Sequence, residues 1–467
     1  IDDASILPKV DIDDIPKDLA QAALEATVVA PGTYHYMGKA GTNGLVYQQV
    51  ALALPALVPE QQTLLPLMCA VASEVGIGEA SYLDIQDRQS ASVGSLSMSV
   101  STRASRDNVD DASGFLIVSS KALANRMTAQ SSLMLDTLTS ASFTEGDRIK
   151  ELISQMRARR DQSISGAGHS LAMTAACASM SPLAGLYHSQ SGLEGIAQLR
   201  AIDDQLRVPS DIDSLSERLT LLRDRMLSTS RINLLTVADS NNLENASQTL
   251  RNTFSGAAAD SSVGSWSITE KSSLENQIWA VNTQVNFCAK AYPTVPSGHP
   301  DAPALSVLAA YLRNGYLHRC IREQGGAYGG GASHDGNIGA FRFFSYRDPR
   351  NLETLNDFDA SLDWILTSEH DASALEEAIL SVISSVDKPA SPAGEVKKAF
   401  YDGLYGRTLE HNRELRESII STTVDDLKRV TETYLSGKAS CSVILTDAKT
   451  AVSKPLTELG WTYRDIV

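Results

Sequence analysis

The predicted secondary structure of this chain passes through the same order of elements twice, and that repeat limits the fold more than any single motif. In the first pass GLVYQQVALAL (44–54) is rich in β-branched and apolar residues and predicts a strand. PEQQTLLPLMCAVASEVG (59–76) carries Leu64, Leu65, Met68, Val71 and Ala72 at helical spacing. SVGSLSMSVSTR (92–103) alternates with period two, and SGFLIVSSKAL (113–123) predicts another strand. Helices follow over 145–162, 192–202 and 210–227, the last with Ser210 in N-cap position, then a closing strand RINLLTVAD (231–239) and a helix over 241–254.

The small polar stretch SGAAADSSVGS (255–265) has the composition of a linker. After it the order returns: strand WAVNTQVNFCAKAY (279–292), an amphipathic helix over 303–323, strand AFRFFSYRD (340–348), helices over 351–366, 373–386 and 423–435, and a closing strand ASCSVILTD (439–447), the counterpart of 231–239. A period of about 200–230 residues means duplicated domains rather than a solenoid. The expected fold class is α+β: an opening segment or linker over 1–30, two homologous domains over 31–254 and 266–467, each a mostly antiparallel β-sheet with helices packed on one face. The total of 467 residues fits two to four domains.

Composition narrows the function classes. Net charge is −16 with 43% hydrophobic and 21% charged residues, which describes a globular chain and not a disordered one. Nucleic-acid binding would need a basic face, and the nearest cluster, Arg157, Arg159 and Arg160, falls on a helical pattern and is expected to be a solvated face. An acidic body mildly favours basic peptide partners. The five cysteines, at 69, 177, 288, 320 and 441, form no C-x-x-C, and those at 69, 177, 288 and 441 sit in apolar runs as small buried hydrophobes, which suggests a reducing compartment. No stretch approaches the roughly 18 apolar residues of a membrane span. The chain opens IDDASILPKV, without Met or a signal-peptide pattern, and reads as a piece of something longer.

No catalytic metal motif is present: H-E-x-x-H and H-x-x-E-H are absent, and His411-Asn412-Arg413-Glu414-Leu415 has leucine where a second histidine would stand. A catalytic zinc takes three protein ligands, so His411 and Glu414 are expected on a helix surface. Ser165-Gly166-Ala167-Gly168-His169 lacks an elbow serine between its glycines, and helix continuity is the simpler account. GGAYGGG (325–331) lacks the G-K-[ST] of a phosphate loop.

That glycine cluster still requires an explanation. A helix delivers Arg319, Arg322 and Glu323 and is expected to end at Gly325, where glycine relieves the left-handed strain of a helix terminus. Between Gly326 and Gly331 the only large residue is Tyr328, and GAFRFFSY follows as a strand. Glycines beside a strand edge let an extended peptide approach and add main-chain hydrogen bonds. The candidate substrate-binding residues are therefore Gly325, Gly326, Ala327, Gly329 and Gly330. Arg322 and Tyr328 flank them and are good donors to a carbonyl oxygen that gains negative charge. A plainer reading makes the stretch a glycine-rich hairpin, with Tyr328 as a packing plug and Arg322 in a surface ion pair.

REQGGAYGGG (322–331) followed by FRFFSYRDPRN (341–351) resembles the signature of the second, non-zinc half of presequence-protease-type enzymes in the pitrilysin/insulinase superfamily. LPKVDIDDIPKD (7–18), the stretch 44–86 and YHSQSGLEGIAQLRAI (187–202) are similar to other parts of that half, so the resemblance spans almost the whole chain. It implies four homologous domains closing as a clamshell around an unstructured peptide, with the H-x-x-E-H zinc site in an N-terminal half that is the partner of this one. The family's R-x5-Y pair, which reaches substrate and tetrahedral intermediate, falls on Arg322 and Tyr328. Zinc would be the cofactor of the complete enzyme, the metalloendopeptidase activity would be absent from this chain alone, and the compartment would be cytoplasm or an organelle matrix. Two other readings stay open: a non-catalytic core-type subunit of the same superfamily, and an unrelated two-domain protein binding a small ligand at 325–331.

Overall fold

A computed structural model describes residues 10–19, 21–268 and 272–466; Pro8 of the opening segment lies outside them. The strands are β1 (Glu25–Ala30), β2 (Thr33–Lys39), β3 (Leu45–Ala53), β4 (Gly76–Ile77), β5 (Ser95–Ala104), β6 (Ala112–Leu123), β7 (Ala141–Ser142), β8 (Ile232–Ala238), β9 (Gln277–Ala280), β10 (Phe287–Pro293), β11 (Gly329–Asp335), β12 (Ala340–Tyr346), β13 (Cys441–Thr446) and β14 (Thr462–Asp465). Twelve of them build two six-stranded sheets, ordered β1-β2-β8-β3-β6-β5 and β11-β12-β10-β13-β9-β14.

Read from opposite ends, the two orders are the same. β8 lies between a parallel neighbour, β2, and an antiparallel one, β3; β13 lies likewise between β9 and β10. The closing strands 231–239 and 439–447 are thus true counterparts, and the edge strand β11 corresponds to β5. Apolar runs in these strands are continuous: all seven residues of β8 and all six of β13 are buried. Strands that read this way are covered on both faces.

The cover is reciprocal. On one face of the first sheet Val50, Leu52, Leu116, Val118 and Leu234 pack under that half's own helices. On the other, Ala51, Phe115, Ile117 and Leu235 meet Val396, Phe400 and Leu404 of the helix Pro392–Leu404 from the second half. The second sheet buries Phe341, Phe343 and Ile444 under its own helices. Its opposite face, with Phe287, Ala289, Val443 and Leu445, receives Ile164, Leu171 and Ala175 of the helix Gly146–Cys177 from the first half. Each half lends the other one helix.

Several local expectations change. WAVNTQVNFCAKAY is two strands, because β9 and β10 flank β13 on opposite sides and the chain must cross between them. Ser210 is inside its helix; Val208 is the cap and Pro209 opens the first turn. Residues 25–30 of the opening segment form β1. The arginine cluster is not a solvated face: Arg157 Nη1 donates to Asp203 and Asp204 at 2.9 Å each, and half-buried Arg160 donates to the Gln190 carbonyl. Their helix runs on to Cys177 across a non-helical residue at Ala167. All five cysteines are free and buried.

Candidate active-site edge

The glycine stretch forms one margin of the second sheet. β11 pairs with β12 alone, from Gly329 opposite Tyr346 to Asp335 opposite Ala340. Among the described residues its other side holds no strand, so a row of backbone donors and acceptors is left for an incoming chain.

A change of helix type brings the chain to this edge. The helix predicted over 303–323 is α-helical only from Ala302 to Leu312; Arg313–Gln324 continue as a π-helix. Wide π turns are rare and collect at functional sites. The turn that ends it also differs from expectation. Gly325 is right-handed, at φ −81° and ψ −21°, and Gly326 takes the left-handed conformation at φ +80°. Gly326 and Ala327 donate back to the carbonyls of Arg322 and Ile321, both at 3.1 Å, which folds the strip against the helix end.

Arg322 is exposed, and its Nη1 lies 3.4 Å from His318 Nε2. Tyr328 is 68% exposed, its ring set edge-on to Tyr346 at 5.5 Å. Neither the packing plug nor the surface ion pair of the plainer reading is present, since Arg322 meets no carboxylate among the described residues.

The five candidate substrate residues divide. Gly325 is buried, and a Cβ there would lie 2.0 Å from Arg350 Nη2, whose guanidinium pairs with Asp357 at 2.8 Å. Ala327 belongs to the helix-side core. At Gly330 a Cβ would meet Ile321 Cγ2 at 2.8 Å. Gly326 is exposed at the turn. At Gly329 a Cβ would meet nothing within 4 Å, so the strip is open where it leaves Tyr328.

Four residues here were missed by sequence reasoning. Tyr346 and Phe344 stand opposite Gly329 and Gly331 on β12. His169, from the helix lent by the first half, lies 4.8 Å from Tyr346 and 5.5 Å from Phe344, and burial lowers its pKa below the ordinary histidine value. Arg347 follows Tyr346 with φ +49°. The alternation in AFRFFSY is the one available signal for the two aromatics; nothing local points to His169 or to a left-handed arginine.

Among the described residues no group of three or more His, Cys, Asp or Glu is placed to hold a metal ion. His411 accepts from the Thr408 backbone N–H at a helix start, and Glu414 pairs with Arg106 at 3.4 Å. The residues present do not fit a catalytic zinc. Among the described residues no helix is long and apolar enough to cross a membrane.

Two sheets of one strand order, each sharing a helix with the other, and a bare glycine edge without a metal set define the non-metal domain pair of a pitrilysin-type peptidase. The solved structures agree on the fold. Pitrilysin superposes with a TM-score of 0.63 at 15% identity, over 98% of this chain and 48% of that one. A peptidase M16 inactive domain from Pseudomonas fluorescens gives 0.62 at 15%, over 91% and 98%. The associated domain of peptidase family M16, subfamily C, matches residues 2–202, and the PreP C-terminal domain matches 276–446. The chain belongs to the presequence-protease branch of the pitrilysin/insulinase superfamily. It is 29% identical to the mitochondrial presequence protease of Yarrowia lipolytica, over 94% of this chain and 44% of that protein. It is 26% identical to presequence protease 1, chloroplastic/mitochondrial, of Arabidopsis thaliana, over 90% and 39%. The chain thus spans less than half the length of these relatives.

Proposed function

We propose that this chain is the metal-free, substrate-holding half of a clamshell metalloendopeptidase that degrades unstructured peptides. Residues 31–254 and 266–467 are then its two α+β units, joined through 255–265. The observation that carries this reading is the unpartnered edge of β11, open at Gly329 and flanked by exposed Arg322 and Tyr328. An extended peptide adds to that edge through main-chain hydrogen bonds. The Arg322 guanidinium and the Tyr328 phenol are the donors to the carbonyl oxygen as it gains charge. Zinc belongs, in this reading, to the part of the relatives' length that this chain does not span. The relatives carry mitochondrial and chloroplast names, and an organelle matrix or the cytoplasm is the compartment proposed.

Loss of one oxyanion donor costs about 2.7–4 kcal/mol of transition-state stabilisation. In the complete enzyme Arg322→Ala or Tyr328→Phe lowers kcat by about 10²–10³ while bound zinc stays stoichiometric. Unchanged peptide turnover in both variants refutes the role.

A further inference from the structure

Arg347 is held in a conformation that arginine avoids. Among the described residues only Asn43, at φ +53°, and Arg347, at φ +49°, are non-glycine residues in the left-handed region. Asparagine tolerates it; a long side chain there is an outlier that persists only where its surroundings impose it. The imposing residue is Asp348. It is fully buried, exchanges backbone hydrogen bonds with Asn286 at 2.8 and 2.9 Å, and accepts through Oδ1 from the Arg350 N–H and through Oδ2 from Thr354 Oγ1. With Asp348 clamped, Arg347 takes the turn.

What the strain presents is an exposed cation at the open end of the glycine edge. The Arg347 carbonyl accepts from the Tyr328 N–H at 3.3 Å. Its guanidinium lies 5.4 Å from the ring centroid of Tyr346, the ring on which Tyr328 rests edge-on. Arg313 lies over the same edge further along, its Cγ and Cδ each 3.4 Å from where a Gly331 Cβ would stand. Arg313, Arg322 and Arg347 are all exposed, and among the described residues none pairs with a carboxylate. In a chain of net charge −16, whose arginines elsewhere mostly find acidic partners, three unpaired guanidiniums around one edge are a local reversal of sign.

We propose that Arg347 is a specificity-determining residue that recognises a carboxylate on the bound peptide where it leaves the glycine edge beside Tyr328. The carboxylate is either the peptide's C-terminus or an acidic side chain. The inference rests on the edge-docking reading of Proposed function, not on the oxyanion role given there to Arg322 and Tyr328. A body that is acidic overall draws in the cationic parts of a peptide, and the arginine collar fixes which end reaches Tyr328.

The test is fluorescence anisotropy with the full chain and one labelled, unstructured peptide in three forms: free C-terminal carboxylate, C-terminal amide, and the amide with one internal Gln→Glu change. A charge-assisted contact makes one carboxylate-bearing form bind about tenfold tighter than the neutral amide, and which form wins identifies the source of the carboxylate. Arg347→Ala and Arg347→Gly both bring that ratio to about one and leave the affinity of the neutral amide within about twofold. Arg347→Gly also keeps or raises Tm, because glycine is at ease at this φ. Equal binding of all three forms to the wild type overturns the proposal. So does a ratio that survives in either variant, the glycine variant in particular, because that would assign the effect to the backbone. If no form binds, edge docking itself falls, and this inference with it. If Arg322→Ala and Tyr328→Phe leave turnover of the complete enzyme unchanged while the Arg347 ratio holds, only the oxyanion role is lost.

Discussion

At the scale of single residues, the glycine strip is two different things. Gly325 and Gly330 are glycine because something occupies the space of a side chain: Arg350 at one, Ile321 and the Phe344 carbonyl at the other. Gly329 is glycine with nothing against it. Gly325→Ala must displace a guanidinium that bonds both Asp357 and the Cys320 carbonyl, and costs about 1–3 kcal/mol as overpacking does. Gly329→Ala adds a methyl to open space on a strand and changes stability by less than about 0.5 kcal/mol. Urea midpoints of the two variants check this, and equal losses would mean the strip has a single role. From the sequence the cluster was visible as one feature. Its division was not, because the atoms that decide it come from Arg350 and Ile321, which no local pattern ties to particular glycines.

At the scale of elements, the central strands carry a pH dependence. His35 on β2 is fully buried, bonds Thr236 of β8 at 3.1 Å and faces Arg251; burial first and that guanidinium second lower its pKa to about 4. His188, buried on the helix Pro182–Ser191 beside Trp279, is lowered to about 4 by burial and by Arg464. Both rings stay neutral in the folded chain, whereas the unfolded chain takes up their protons near the ordinary 6.5. Stability present above pH 6.5 is therefore lost as pH falls towards 4, by up to about 3 kcal/mol per ring. Urea midpoints measured from about pH 7.5 to 4 should fall across this window, and His35→Gln should flatten the fall; a slope unchanged in that variant would assign it to other groups. Element types were mostly legible, since β3, β5, β6, β8, β12 and β13 have the composition of strands and lie where expected. The π-helix was not legible, because α and π turns share the same residues and differ only in hydrogen-bond partner.

At the scale of the molecule, the exchanged helices make the two sheets dependent on one another. Phe400 is 1% exposed, packs edge-on against Tyr36 at 5.3 Å, and caps a face that the first half cannot cover itself. Phe400→Ala costs about 3–5 kcal/mol, although its helix belongs to the other half. One cooperative thermal transition is expected. Cleavage within 255–263, which is mostly exposed, should leave two fragments that co-elute under native conditions, since Trp266 stays docked in the first core and the lent helices stay crossed. Fragments that separate on a sizing column would contradict the interlock.

Composition and periodicity alone determined that this chain is a duplicated α+β protein, and the R-x5-Y spacing beside a glycine run marked where its chemistry would lie. These are local properties, written in hydrophobic alternation, turn residues and motif spacing within a few tens of positions. Tertiary structure alone decided that β11 is an edge, that each half covers the other's sheet, and that Arg347 is forced left-handed beside Tyr328. Each of those depends on contacts between residues far apart in the chain, such as Asp348 with Asn286 or Phe400 with Tyr36, whose free energy appears only when both partners are in place.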